Sequence, residues 1–382
     1  MSELDLIITE AVDHKHLPFA VAVVANRSGV LWEGSAGQAS PSKAAGADTF
    51  FRFFSMTKAI GSLAAMMMVD RGKVTLDTPM VEVMPELKRV QVLESIGSEG
   101  PVFRSPRRPI TLRHLLTHTS GLNYGEWHAK MYQFHATPEF KHIFEGTRTA
   151  MEYPLMYDPG DDWAYGIGID WAGRMVQELD GRTIDAFCHE EIFEPLGMRR
   201  TAFEAEFDRE NLAQLVTRGP DGDFVPMEWG APSHPEIYGM GSATYGVAGD
   251  YVRFLRAVLN RGELDGRRVI SEEGIEPMLE NQIGDMSVPA MRTTEPETYV
   301  DVELFPGHRK THTAGFIRLE EDVPGMRRAG SLTWAGAANT HYWIDPAKDL
   351  TAVLMTQSLP FCDRRYMKVY DAFEREVYRQ FG

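Results

Sequence analysis

Ser55 and Lys58 are the pair in this chain best suited to covalent chemistry. They open the stretch Ser55-Met56-Thr57-Lys58, which follows Phe53-Phe54 and runs directly into the apolar segment Ala59 to Val69. In a helix, residues three apart share a face, so the lysine amine can reach the serine hydroxyl. A helix N-terminus adds unpaired N–H groups and a positive dipole end. A hydroxyl, a base beside it and donors aimed at a developing oxyanion are what nucleophilic acyl transfer requires. A second Ser-x-x-Lys match, Ser40-Pro41-Ser42-Lys43, serves as an internal control. It has an internal proline and no apolar helix after it, and reads as a surface turn. Ser55 taken alone also reads as a plain helix N-cap, where serine is favoured.

Other chemistries fit the chain less well. No serine has glycine at both −2 and +2, so the nucleophile elbow of α/β-hydrolases is missing. There is no glycine-rich phosphate loop. His114 and His118 have the four-residue spacing that metal sites use on a helix. They lack the glutamate of a His-Glu-x-x-His site and any obvious third ligand, so both read as structural and no metal is expected.

Composition sets outer bounds. The 382 residues are 43% apolar and 25% charged, ordinary for a globular protein. A net charge of −16 argues against a nucleic-acid partner, since phosphate binding needs clustered Lys and Arg. Two cysteines, Cys188 and Cys362, are too few for a disulfide framework and suggest a reducing compartment. No apolar run is long enough to span a bilayer. The acidic start, Met1-Ser2-Glu3-Leu4-Asp5, lacks a secretion-signal pattern. The expectation is a cytoplasmic protein without membrane partners.

The elements that must position Ser55 follow from periodicity. Leu4, Ile7, Ile8 and Val12 mark a first helix. Phe19 to Val24 and Gly29 to Gly34 read as a β-hairpin, followed by a polar loop over Gly37 to Asp48. A helical, Pro-punctuated middle section contains Ile110 to Leu122 and an aromatic-rich insertion, residues 123–153. That insertion reads as a pocket wall or as a flap packed on itself. An amphipathic helix is expected to open at Asp161-Asp162-Trp163-Ala164-Tyr165-Gly166-Ile167-Gly168 and run through Leu179. A further helix is expected over Gly249 to Leu259, strands over Ser331 to Trp334, Asn339 to Ile344 and Leu350 to Met355, and a closing helix over Arg364 to Phe381. Strands near both ends with helices between give an α+β class: an antiparallel sheet flanked by helices, with a mainly helical region inserted. The expected division is a sheet domain from residues 1–75 and 240–382, a helical domain from 76–239, and the active site between them.

The order of these motifs resembles the serine β-lactamase and penicillin-binding-protein family. It is most similar to the family VIII carboxylesterases, related to class C β-lactamases, and to the fungal statin acyltransferases. The match rests on Ser55-Met56-Thr57-Lys58, Leu115 to Leu122, Tyr165-Gly166-Ile167, Phe193 to Met198 and Trp334-Ala335-Gly336. It covers most of residues 18–265 and 328–360 and is weak over 123–153 and 282–327. The resemblance implies a β-lactamase/transpeptidase-like fold and an acyl-enzyme on Ser55. Lys58, transiently neutral, would take its proton, and Tyr165 would relay it to the leaving alcohol. The backbone N–H groups of Ser55 and Ala337 would form the oxyanion hole, with Trp334 and Gly336 binding substrate. Two positions depart from the lactamase pattern. Ile167 stands where an asparagine holds the lactam, and Trp334 stands where a lysine meets a carboxylate. Both imply neutral esters rather than penicillins. The expectation is a carboxylesterase for small or medium neutral esters, with an acyltransferase as the alternative and a β-lactamase or D-Ala-D-Ala peptidase behind both. No cofactor is implied, and the sequence leaves the oligomeric state open.

Overall fold

The computed structural model describes residues 2–230, 232–296 and 299–382. An eight-stranded antiparallel sheet forms its centre. In chain order we label the strands β1 (Phe19–Ala25), β2 (Val30–Ser40), β3 (Lys43–Ala44), β4 (Lys310–His312), β5 (Ile317–Leu319), β6 (Leu332–Gly336), β7 (Thr340–Asp345) and β8 (Leu350–Met355). Their order across the sheet is β4-β5-β6-β7-β8-β1-β2-β3, so the amino-terminal hairpin docks on the last carboxy-terminal strand. β1 pairs with β8 through Val21 opposite Met355 and Val23 opposite Val353. All seven β1 residues are buried, which is why the segment is apolar without alternation.

Each face of the sheet has its own core. Ala20, Ala22 and Val24 point to one side, against α1 (Glu3–Asp13) and the terminal helix α7 (Arg364–Phe381). Phe19, Val21 and Val23 point to the other, against α2 (Thr57–Asp70) and α5 (Ala248–Leu259). Helix α1 begins with a capping box, in which Ser2 and Asp5 satisfy each other's backbone donors. On the α7 side a fully buried ion pair, Arg327 Nε to Glu374 Oε1 at 2.6 Å, ties the loop before β6 to that helix.

Helix α2 is buried from Thr57 to Met68. A helix that is apolar all round has to lie inside the molecule; α2 packs on α4 (Gly168–Asp180) and shares one core with the inner face of the sheet. The middle section supplies α3 (Leu112–Leu116) and the wall built by residues 123–153. A short helix α6 (Glu272–Leu279) packs on α2.

Several elements differ from their sequence expectation. β2 runs on to Ser40 and β3 folds back on it, so half of the expected polar loop is strand. Ser40 to Lys43 is the hairpin turn between them, in agreement with the surface-turn reading. Helix α3 stops at Leu116, which leaves His118 outside it with φ +59°. The two histidines therefore do not share a helical face. Helix α4 starts at Gly168, seven residues later than expected, and the segment carrying Tyr165 is extended. Strands β4 and β5 lie in a region with no recognisable strand pattern.

Candidate active site

Ser55 sits in a single 3-10 turn, Phe54–Met56, at the mouth of α2. It caps neither that turn nor the helix, because the N-cap positions are Phe53 and Met56 and neither makes a side-chain cap bond. The plain N-cap reading of Ser55 therefore fails. Phe54, just before it, has φ +45°. A bulky residue in left-handed backbone is strained, and such strain persists only where the surroundings enforce it. Here the Phe53 N–H donates to Thr244 O at 3.0 Å, and the Tyr251 hydroxyl donates to Met56 O at 2.9 Å. Thr57 and Thr244 join through their hydroxyls at 2.6 Å. The loop at 241–246 thus clamps the turn that presents Ser55.

Lys58 lies one turn into α2 and is 3% exposed. Its Nζ donates to Ser55 Oγ at 3.3 Å, Tyr124 Oη at 3.1 Å and Gly241 O at 2.9 Å. The Gly241 peptide is held from its other end, where its N–H donates to Asp170 Oδ1 at 2.9 Å. Asp170, in the first turn of α4, is buried, and burial raises its pKa despite the nearby Lys58 charge. Its second carboxylate oxygen has no partner among the described residues.

Two tyrosines face the lysine. The Tyr124 N–H donates to Tyr165 O at 3.0 Å and the Ile167 N–H to Leu122 O at 3.0 Å, so the two segments run antiparallel. Gly166 makes this approach possible: a Cβ there would lie 1.8 Å from Leu122 O. The rings of Tyr124 and Tyr165 are 5.1 Å apart, and Lys58 Nζ lies 5.1 Å and 4.7 Å from their respective centroids. The Tyr165 hydroxyl accepts from Trp334 Nε1 at 3.1 Å. Ser55 and Tyr165 thus line one cavity, Lys58 reaches it through its bond to Ser55 Oγ, and the amine is hydrogen-bonded to Tyr124 rather than to Tyr165. Burial pushes the Tyr124 phenol well above its usual range, so it stays protonated. Tyr124 carries no motif of its own; only its place two residues after Gly121-Leu122 could have drawn attention to it.

The edge of β6 closes the site opposite the helix. Ala337 and Ser55 line one cavity, and neither N–H has a backbone acceptor among the described residues. Trp334 lines the cavity and Gly336 does not. Its missing side chain has another use, since a Cβ there would lie 2.2 Å from Phe53 O and push the strand away from the nucleophile turn. Ile167 is wholly buried and presents no polar group. The cavity is roughly 630 Å³, its open mouth included. Phe54, Trp127, Phe144, Trp229 and Phe361 wall it, so the 123–153 insertion is a pocket wall.

The expected structural histidines take structural places. His114 completes a capping box with Thr111 at the start of α3. The His118 ring packs edge-on to Tyr165 at 4.9 Å and to His312 at 5.2 Å. Burial drives both His118 and His312 down, His312 to about 4, so at neutral pH they are uncharged packing groups behind the tyrosine. Among the described residues no cluster of three His, Cys, Asp or Glu could hold a metal, and no helix is long and apolar enough to cross a membrane.

The family model for Beta-lactamase matches residues 4–374. The chain belongs to the Beta-lactamase family. Among curated members it is 29% identical over 343 residues to monacolin J acid methylbutanoyltransferase of Aspergillus terreus, spanning 87% of this chain and 83% of that one. It is 30% identical over 366 residues to lovastatin esterase of Penicillium rubens, spanning 86% and 84%. The solved structure of simvastatin synthase from Aspergillus terreus superposes with a TM-score of 0.84 at 26% identity, covering 99% of this chain and 98% of that one. The α+β architecture, with its antiparallel sheet flanked by helices, is the β-lactamase/transpeptidase-like fold.

Proposed function

We propose that this protein is a serine acyl-transfer enzyme that carries an acyl group on Ser55 and passes it to an alcohol. The observation that carries the reading is Lys58 Nζ at 3.3 Å from Ser55 Oγ, at the mouth of an aromatic cavity. In this mechanism neutral Lys58 keeps its bond to Gly241 O and takes the proton of Ser55 as the hydroxyl attacks the acyl carbonyl. The oxyanion is received by the N–H groups of Ser55 and Ala337, donors of a kind that typically contribute about 3 kcal/mol each to lowering the barrier. Tyr165 moves the proton on to the leaving oxygen. The Trp334 N–H, already on the Tyr165 oxygen, fixes the hydroxyl's orientation. The site would lie at the seam between the sheet portion, residues 1–75 and 240–382, and the helical portion, residues 76–239. The likeness to monacolin J acid methylbutanoyltransferase supports transfer, and the largely aromatic walls suit an acyl group and an organic alcohol.

Hydrolysis of neutral carboxylic esters is the second reading, and the 30% identity to lovastatin esterase favours it. Lactam hydrolysis has the least support, because Ile167 and Trp334 offer nothing to a lactam amide or carboxylate. Turnover of p-nitrophenyl butyrate with and without added butanol separates the first two. Transfer expects butyl butyrate as the main product when butanol is present; butyrate alone at every butanol concentration would favour hydrolysis. Ser55→Ala is expected to abolish both products in a protein that still melts cooperatively. Turnover surviving in that variant would remove the acyl-enzyme.

A further inference from the structure

The cavity in front of Ser55 contains a carboxylate for which the acyl-transfer chemistry has no use. Glu126 lies two residues after Tyr124 and lines the same cavity as Ser55, Tyr165 and Trp334. Its Oε2 is buried and has no hydrogen-bond partner among the described residues. Burying a polar oxygen without a partner costs on the order of 1–3 kcal/mol, and more when it is charged. The position is also fixed. Thr294 donates from its N–H to Glu126 O at 3.0 Å and from its hydroxyl to Gly125 O at 2.7 Å. The neighbouring Trp127 ring packs edge-on against Tyr299 at 5.8 Å, and both rings line the cavity. A rigid loop thus holds an unpaired acceptor inside an otherwise aromatic chamber. Apart from its own backbone N–H, which leaves Oε2 unpartnered among the described residues, the groups that influence Glu126 are Glu295, which repels it, and Lys58. Lys58 spends its hydrogens on Ser55, Tyr124 and Gly241.

We infer that Glu126 is a specificity-determining residue, and that the substrates of this site carry a hydrogen-bond donor beyond the reacting oxygen, a hydroxyl or an ammonium, which Glu126 receives. This rests on the acyl-transfer reading and narrows it to alcohols and esters with a second polar group. A pocket built to pair with a donor rejects the analogue that lacks it, because the buried acceptor is then left unpaired. Aromatic faces around the carboxylate also attract a cation, so an ammonium gains a second source of binding.

The test uses three butyrate esters of similar length, those of pentanol, butanediol (the monoester) and dimethylaminobutanol. With wild-type enzyme, kcat/KM is expected to favour at least one donor-bearing ester over the pentyl ester by about tenfold or more, chiefly through KM. Glu126→Ala is expected to erase that preference. Glu126→Gln is expected to keep a hydroxyl preference and lose an ammonium preference, so the two variants identify which donor the site takes. Each ratio is measured within one enzyme preparation, so a lower active fraction cancels. If Glu126→Ala does not fold, the near-isosteric Glu126→Gln decides alone: an ammonium preference that survives it, or a hydroxyl preference that vanishes, counts against the inference. Equal kcat/KM for all three esters in the wild type overturns the inference and leaves acyl transfer standing. Failure of the wild type on these esters and on p-nitrophenyl butyrate removes both.

Discussion

Lys58 has three oxygen neighbours, and an ammonium has three hydrogens to give. When the amine is neutral it has only two, and one neighbour must then donate to it. Gly241 O can only accept, so the donor has to be a hydroxyl, from Ser55 or Tyr124. Burial keeps Tyr124 a neutral phenol, able to donate a hydrogen bond but not to ionise. Ser55, which lines the cavity, is the hydroxyl that loses its proton as it attacks the acyl carbonyl. This count separates the roles of the two tyrosines. Tyr165→Phe removes the proposed relay and is expected to lower kcat by about 10²- to 10⁴-fold with KM little changed. Tyr124→Phe removes one neighbour of the amine and is expected to cost roughly tenfold, the size of one net hydrogen bond. Steady-state kinetics on p-nitrophenyl butyrate check both, and a larger loss in Tyr124→Phe would transfer the relay to that residue. At this scale the sequence was informative where a motif carried the chemistry and silent where spatial pairing did. Ser55, Lys58 and Tyr165 were legible because each opens or precedes a recognisable helix. Tyr124 and Glu126 were not, because their roles arise from a backbone bond to Tyr165 and from a clamp by Thr294, contacts with residues 41 and more positions away.

Between elements, the decisive contact is that of β6 with the turn before α2. It depends on Gly336, whose position leaves no room for a Cβ. The glycine of the Trp334-Ala335-Gly336 motif thus acts as a spacer, whereas the resemblance implied a substrate contact. Gly336→Ala has to move Phe53 O or the strand by more than an ångström. It is expected to destabilise the fold by about 1–3 kcal/mol, the usual cost of overpacking. Because Ala337 moves with the strand, kcat for p-nitrophenyl butyrate is expected to fall further than the loss of folded protein explains. A variant with lowered melting temperature but full kcat per folded molecule would separate this contact from the oxyanion hole. Element boundaries were legible where periodicity was long, as in α1, α5 and α7. They failed for β4 and β5, which are three residues each, too short for any alternation to register. The expected start of α4 is too early because Asp161 and Asp162 look like helix-opening residues, while the bridge to Leu122 and Tyr124 keeps Tyr165 extended.

The whole molecule buries many histidines, and that sets its response to acid. His114, His135 and His312 are driven by burial to about 4, and His341 to about 3, from a usual value of 6.5. In the folded state these rings stay neutral down to those values, whereas in the unfolded chain they take up protons below 6.5. Unfolding therefore binds protons, and the stability these groups contribute is complete above pH 6.5 and is lost as pH falls from there towards their folded values. Buried carboxylates oppose this, because burial raises Asp170, Asp250 and Glu374, and the folded state then binds protons more readily than the unfolded one. The expected net effect is a melting temperature that drops between pH 7 and pH 5. His341 offers a clean probe of the cause. It stacks on Phe361 at 5.6 Å, lies 4.8 Å from Tyr366, and leaves Nε2 without a partner among the described residues. His341→Phe keeps an aromatic ring there and removes the titration. A single histidine shifted this far contributes about 2 kcal/mol to the loss between pH 7 and pH 5. Urea unfolding at the two pH values is expected to give a smaller acid-induced loss in the variant by that amount; an identical loss in both proteins would mean that buried neutral histidines do not govern the acid response.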